Sequence, residues 1–445
     1  MKFRVDREAM AEAVAWVARA LPTRPVVPVL SGLRLEAVDG GLTLSCFDYE
    51  VSATAEIEAD VAEPGTVIVP GRLLTEITRN LPALVVDVNA STDTVDLTCG
   101  SAEFTLYALA AEEYPALPEP PPVVGAVDGG VLGPAIAQVV PAASRDDTLP
   151  MLTGVCLDID DDRLTLAATD RYRMAVRELE WAPGRPGLRT AALVPARTLA
   201  DAGRAMTAGT PVWIAFDAGP AEGADGGTGG AAARRGRGDG EPRPAEGMIS
   251  FGIGRRRLTT RLIGGEFIRY RSRFPAEFGC RAEVPGGTFA EAVRRVSLVA
   301  DRASPVQLTF RPGSVRIEAQ TEGRARAAET VPAEFSGDEP GIAFNPHYLL
   351  DGLVAAASPA VRDGGAGEPA GSGETGTSDE EPAADREPGQ GGKPPEPGLV
   401  RIEFTSPAKP ALISRVTGGG SGADGGEAVP DFRYLVVPLR PATRT

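Results

Sequence analysis

Apolar residues recur at i, i+4, i+7 and i+11 in three places: Met10, Val14, Val17 and Leu21; Leu132, Ile136, Val139 and Ala143; Phe289, Val293, Val296 and Ala300. That spacing is one face of an amphipathic helix. Pro141 is expected to shorten the second helix relative to its siblings. Each run is followed by two alternating stretches around a turn. "LSGLRLEAV" and "LTLSCFD" flank Asp39-Gly40-Gly41, "LTGVCLDID" precedes "RLTLAATD", and "VQLTF" and "SVRIEAQ" flank Pro312-Gly313. Period-two alternation split by Asp-Gly or Pro-Gly predicts a β-hairpin. A short strand then leads into a second helix: "VIVPGRLLTEITRNL", "ALVPARTLADAGRAM" and "IAFNPHYLLDGLVAA". Proline or a small residue opens each of these helices, where a missing N–H costs little. His347 stands where the other copies carry Arg72 and Arg197.

The pattern is therefore a repeat. Its most legible part is a strand–turn–strand: "LTLSCFDYEVSATA" from Leu42, "LTLAATDRYRMAV" from Leu164 and "VRIEAQTEGRARAA" from Val315. The first helical anchors, Met10, Leu132 and Phe289, are 122 and 157 residues apart, and the second spacing becomes 126 once a 31-residue insert is set aside. Three units of equal length follow, each with two helices and roughly eight strands, an α+β arrangement with helices on one face of the sheets. Three like domains in a row can curve into an arc. A second copy of the chain can close that arc head-to-tail, with twelve helices inside and sheet outside.

Composition changes the picture in one respect. The 445 residues carry a net charge of −16, which argues against a polyanionic partner. The charge is unevenly placed, however. Residues 217–247 (net −2), 362–398 (net −6) and 417–431 (net −3) hold 11 of the 16 charges, so the rest of the chain carries only −5. These three segments are rich in Gly, Pro, Ala and Glu and nearly free of large apolar residues. Burial there cannot offset ordering entropy, and they are expected to be disordered swellings of hairpin connections.

Several classes of chemistry are disfavoured. The start, "MKFRVDREAMAEAVAWV", has no uninterrupted apolar run and does not read as a signal peptide. No stretch approaches the ~18 apolar residues of a membrane span, so the expected location is cytoplasmic, with no membrane partner. Cys46, Cys99, Cys156 and Cys280 show no metal or redox spacing and read as buried thiols. One histidine, His347, nearly excludes histidine-based zinc sites and Ser-His-Asp or Cys-His catalysis. There is no GxxxxGK[ST] loop, and no metal or cofactor is expected. Asp48 and Asp170 recur at matching turns. They are candidates for acid–base work, but recurrence favours a turn role, in which Asp bonds its own backbone.

The helices carry Arg7 and Arg19, Arg72 and Arg79, Arg197 and Arg204, and Arg294 and Arg295. On an inner wall such arginines attract phosphates without reading bases; the plain alternative is ordinary surface charge.

The order of short motifs resembles the bacterial DNA polymerase III beta subunit, the sliding clamps. The residues that carry the resemblance are "MKFRVDRE" at the start, "RPVVPVLSGLRLEA" (24–37), "VPGRLLTEITRNLP" (69–82), "AEEYPALP" (111–118), "LTGVCLD" (152–158), "AATDRYRMAV" (167–176), "FNPHYLLDGL" (344–353), "FTSPAKPALI" (404–413) and "YLVVPLR" (434–440). Together they cover essentially the whole chain outside the inserts. The resemblance implies three clamp domains at 1–122, 127–279 (insert about 217–247) and 280–445 (inserts about 362–398 and 417–430). It implies a head-to-tail homodimeric ring around duplex DNA, without catalysis, that tethers DNA polymerase III and other proteins carrying a clamp-binding motif and is placed on DNA by a clamp loader.

It also implies residue roles. Partner peptides with glutamine and leucine/phenylalanine anchors would enter an apolar cleft formed by Leu152, Thr169, Arg171, Tyr172, Arg173, Met174, Ile268, Leu435, Val436, Val437, Pro438, Leu439 and Arg440. The plain alternative is that "YLVVPL" is a buried last strand. Arg24, Arg72, Arg79 and Arg197 match DNA-facing positions. Arg255, Arg256 and Arg257 are either a further basic patch or a charged hairpin tip. Phe104 and Leu106 should meet Leu298 across the ring seam, unless all three are intradomain core. The chain departs from the family at Arg171, usually small or polar, at Ile268, usually proline, and in the terminal extension "PATRT". These departures, all near one pocket, leave open a diverged extra clamp serving repair or inhibitor tolerance.

Overall fold

The computed structural model describes residues 1–217, 243–244, 247–301, 304–321, 323–338, 341–358, 398–416 and 430–439. The cores of the three expected inserts lie outside the described residues. One piece of the first does not: Arg243–Pro244 forms a two-residue strand running parallel to Thr190–Ala191.

Among the described residues there are six α-helices, two per repeat: α1 (Arg7–Val17), α2 (Gly71–Asn80), α3 (Gly129–Val139), α4 (Ala196–Gly203), α5 (Gly286–Val296) and α6 (Pro346–Ala357). The predicted anchors Met10, Val14, Val17, Leu132, Ile136, Val139, Phe289, Val293 and Val296 are all buried. The fourth position of each run differs from expectation. All three first helices end after 11 residues and tighten into a 3-10 turn, at Ala18–Ala20, Val140–Ala142 and Ser297–Val299, so Leu21, Ala143 and Ala300 lie past the helix. Pro141 therefore shortens nothing. It sits in a 3-10 turn that its siblings form without proline. Side-chain caps start α1, α3 and α6: Asp6 Oδ1 accepts the amides of Glu8 and Ala9, Asp128 Oδ1 that of Gly130, and Asn345 Oδ1 those of His347 and Tyr348.

The strands form four sheets. A five-stranded sheet ends on Ala102–Tyr107, and a four-stranded sheet begins with Ala325–Pro332. Between them lie a nine-stranded and a ten-stranded sheet, and each of these crosses from one repeat to the next. The crossing has one rule. The last strand of a repeat pairs antiparallel with the fourth strand of the repeat before it. Arg256–Arg261 pairs with Val51–Glu58, and Phe432–Val436 pairs with Arg173–Glu180. The registers agree as well: the third residues face each other in both, Leu258 opposite Ala53 and Tyr434 opposite Ala175. Leu258 and Tyr434 are 3% and 1% exposed.

Helices pack in pairs within each repeat, and α3 also meets α6. The junctions are tied on the helix side as well. Arg19 Nη1 donates to Asp201 O (3.4 Å), and Gln138 Nε2 donates to Ala355 O (2.9 Å). Arg255, Arg256 and Arg261 pair with Glu58, Glu12 and Glu50 of the first repeat. The basic cluster at the hairpin tip is thus partly neutralised by the neighbouring repeat.

Candidate partner cleft and helix-lined face

The turn 169–174 is built by its own polar groups. Asp170 Oδ1 accepts the amides of Tyr172 and Arg173 (both 3.0 Å). Thr169 Oγ1 donates to Arg173 O (2.6 Å) and accepts from Arg171 N (3.2 Å). Asp48 holds the matching turn of the first repeat, accepting from Glu50 N (3.0 Å) and Val51 N (2.7 Å). Both carboxylates serve backbone amides, the turn role expected of Asp. The tight bend puts Arg171 at φ 80° and its counterpart Tyr49 at φ 74°. In the third repeat a glycine, Gly323, takes the left-handed conformation at φ 69°.

Arg173 is the centre of a network between repeats two and three. Its Nε donates to Asp170 Oδ2 (2.9 Å), its Nη1 to Asp351 of α6, and its guanidinium lies 4.4 Å from the centroid of the Tyr348 ring. Burial opposes its charge, but Tyr434, Asp351 and Asp170 outweigh that and hold its pKa above the ordinary value. Tyr172, 52% exposed, stacks on Tyr348 with centroids 6.2 Å apart. Tyr434 Oη donates to Tyr348 O (2.8 Å). A Cβ on Gly352 would come within 2.4 Å of the Tyr434 ring, so α6 approaches the last strand only because that residue is glycine.

The last strand brings the chain's end to this turn: Met174 faces Leu435 and Arg173 faces Val436 in register. Beyond the strand, Val437 N donates to Tyr172 O (2.8 Å) and Leu439 N to Ala343 O (2.7 Å). Met174 and Leu435 belong to a small apolar cluster with Cys156, Leu193, Tyr270 and Leu412, against which Ile268 packs. Leu152 and Thr169 are buried, whereas Tyr172, Val437 and Leu439 are exposed and Pro438 is half-buried. The structure thus brings most of the expected set together, with two corrections. Val436 faces the main core, 0% exposed, and Arg173 is engaged by Asp170, Asp351 and Tyr348. Arg440 lies outside the described residues.

Sequence reasoning missed Tyr270, Ile263 and Phe267, which pack on the same cluster. It also missed Asp158, which accepts from Tyr270 Oη (2.6 Å) and Arg271 Nη2 (3.0 Å). The aromatic spacing of "EFIRY" was the available signal. Tyr114 is the counterpart of Tyr270 in the first repeat. Tyr114 Oη accepts from Phe47 N (2.8 Å), and Tyr114 packs on Val29, Leu30 and Ile68.

On the helix side, Arg24, Arg72, Arg79 and Arg197 are all exposed. Arg24 and Arg197 line one cavity of about 260 Å³ at the first junction, with Arg19, Asp48, Val51 and Asp201. Arg72 Nη2 donates to Pro22 O (3.2 Å), beside Arg24 in the chain. Arg79 stands apart, at the end of α2.

At the two ends of the molecule, Phe104 is 39% and Leu298 82% exposed, and neither belongs to a core. Leu106 is a correction: at 2% exposure it is core of the first repeat, set opposite the buried Val95, although it shares a strand face with Phe104.

All four cysteines are buried, and burial pushes the Cys46 thiol up to about 12. Among the described residues no metal-binding group occurs, and no helix is long and apolar enough to cross a membrane.

Three copies of one α+β unit, joined edge to edge with paired helices on one side, define a clamp-fold protein. Models of the N-terminal, central and C-terminal domains of the DNA polymerase III beta subunit match residues 1–118, 126–268 and 271–363. The chain belongs to that family. It is 42% identical over 440 residues to the beta sliding clamp of Streptomyces coelicolor, covering 99% of each chain. It is 41% identical to the beta sliding clamp homolog GriR of Streptomyces muensis, over 80% of this chain and 88% of that one. Its fold matches the sliding clamp of Bacillus subtilis (TM-score 0.75, 22% identity, 99% and 100% covered) and that of Pseudomonas aeruginosa bound to griselimycin (TM-score 0.76, 22%, 99% and 100%).

Proposed function

We propose that this chain is a DNA sliding clamp, a processivity factor that closes as a head-to-tail homodimer around duplex DNA and tethers polymerases through the cleft at residues 169–174. The observation that carries the reading is the pair of unpaired edges. Two of three possible junctions are made within the chain by pairing a last strand with a fourth strand. The strands left over among the described residues are the last strand of repeat one, Ala102–Tyr107, and the fourth strand of repeat three, Ala325–Pro332. An exposed edge is a template for pairing. Continuing the shared register places Phe104, the third residue of its strand, opposite Ala327. There it takes the place that Leu258 and Tyr434 hold at the internal junctions. Leu298 occupies the 3-10 position that Arg19 holds at the first junction. It would meet α2 near Leu73, itself 46% exposed and overlooked in the sequence. Two such seams close a ring of six repeats.

The helices would then line the channel, with Arg24, Arg72, Arg79 and Arg197 facing phosphates without base readout. Clamp domains at 1–122, 127–279 and 280–445, DNA polymerase III and a clamp loader as partners, and a cytoplasmic site of action complete the reading. The protein acts by enclosure and tethering rather than by turnover, with Asp48 and Asp170 committed to turns.

Retention on DNA tests it. Loaded by its clamp loader and ATP, the protein should co-elute with nicked circular DNA and leave when one restriction cut linearises the circle. Equal retention on both forms would refute enclosure.

A further inference from the structure

Arg171 is the one charged residue of the cleft turn whose side chain has no hydrogen-bond or ion-pair partner among the described residues, and it is exposed. The turn explains why. Both oxygens of the adjacent Asp170 are engaged, Oδ1 by the amides of Tyr172 and Arg173 and Oδ2 by the Arg173 guanidinium. Asp351 is bound to Arg173 as well. Asp146 is the carboxylate that feels the Arg171 charge from outside hydrogen-bond reach; its Oδ1 accepts from the amide (3.0 Å) and hydroxyl (2.6 Å) of Thr148. The Arg171 backbone is fixed in the left-handed region and its amide tied to Thr169 Oγ1, so the side chain leaves the rim from one fixed point. A residue with a Cβ is costly at that φ. The next residue, Tyr172, presents an exposed apolar surface, and Val437 and Leu439 extend it along the chain's end.

We infer that Arg171 sets partner specificity, by pairing with a carboxylate placed next to the apolar anchors of the docked peptide. The occupant is an extended acidic peptide segment, and the inference rests on the cleft reading above. An unpaired cation beside an apolar strip favours a ligand carrying both an anchor and an anion. An exposed pair of this kind is worth a few-fold in affinity, and salt should remove it.

The test uses three labelled peptides that share glutamine and Leu-Phe anchors and differ at one adjacent position: Asp, Ser or Lys. Their affinities for the full-length protein are read by fluorescence polarisation. The expected order is Asp over Ser over Lys, with Asp ahead of Ser by roughly three- to five-fold at low salt and no preference at about 0.5 M salt. Arg171→Gly, which suits the left-handed backbone, should bind the Ser peptide as before and lose the preference. Arg171→Glu should invert it. Binding without discrimination, or discrimination that survives in Arg171→Gly, overturns the role of Arg171 and leaves the cleft standing. Failure of all three peptides to bind the folded protein overturns the cleft reading, and this inference with it.

Discussion

Leu298→Ala tests the ring without touching the fold. Leu298 projects from the 3-10 turn after α5, is 82% exposed and packs on no core of its own chain. Fully burying a leucine side chain is worth about 1.5–3 kcal/mol, so covering the exposed part at a seam contributes on the order of 1.5–2 kcal/mol. Truncation to alanine keeps one methyl, and a closed dimer has two seams. The expected loss is therefore about 3 kcal/mol per ring, or roughly a hundred-fold weaker dimer. Sedimentation equilibrium over a broad concentration range reads this as a shift from dimer to monomer. The melting transition of the dilute monomer should move little, because a surface substitution away from special features stays within about 0.5 kcal/mol. An unchanged dimer constant would refute the placement of Leu298 at the seam. A collapse in monomer stability would show instead that the residue is structural.

Further outcomes follow from the same geometry. Arg173→Ala leaves Asp351 and Asp170 without their shared guanidinium; urea unfolding should show a loss on the order of 3 kcal/mol, and a loss under about 1 kcal/mol would mean the network is incidental. Val51 holds the place of Arg173 at the first junction, between Asp48 and Asp201, the counterparts of Asp170 and Asp351. Val51→Arg is expected to fill part of the 260 Å³ cavity and raise the melting temperature, and a fall would count against the equivalence of the two junctions. Replacing Arg24 and Arg197 together by alanine should weaken DNA binding uniformly over sequences and reduce the salt slope by about 1–2, seen by titration at several salt concentrations. Arg326 holds the Glu318 carboxyl below its ordinary 4.5, with burial acting against it. Its stabilising effect is therefore present above that value and lost as pH falls through the lowered one, so Glu318→Gln should flatten the acid limb of the stability curve.

The amino-acid sequence by itself determined the repeat. Helical anchors such as Met10, Leu132 and Phe289 sit in the same rhythm, and the alternation around Asp48 and Asp170 fixes strands by period alone, because 3.6 and 2 are local properties of the backbone. Asp48 and Asp170 were legible as turn residues for the same reason: their hydrogen bonds reach two or three residues along the chain. The ends of the first helices were not legible. Leu21 and Ala300 keep the apolar rhythm past the point where the chain tightens into a 3-10 turn.

Tertiary structure alone decided what lies between repeats. Which strand edge finds which is a matter of surfaces more than two hundred residues apart. Phe432 faces Arg177 and Tyr434 faces Ala175 by a pairing that no local pattern encodes. Phe104 and Leu106 look alike as letters, yet one is half-exposed at an end of the molecule and the other is core. Arg171 and Arg173 are likewise two identical side chains in one turn. Asp351, 178 residues away in sequence, claims one of them. The other makes no ion pair among the described residues.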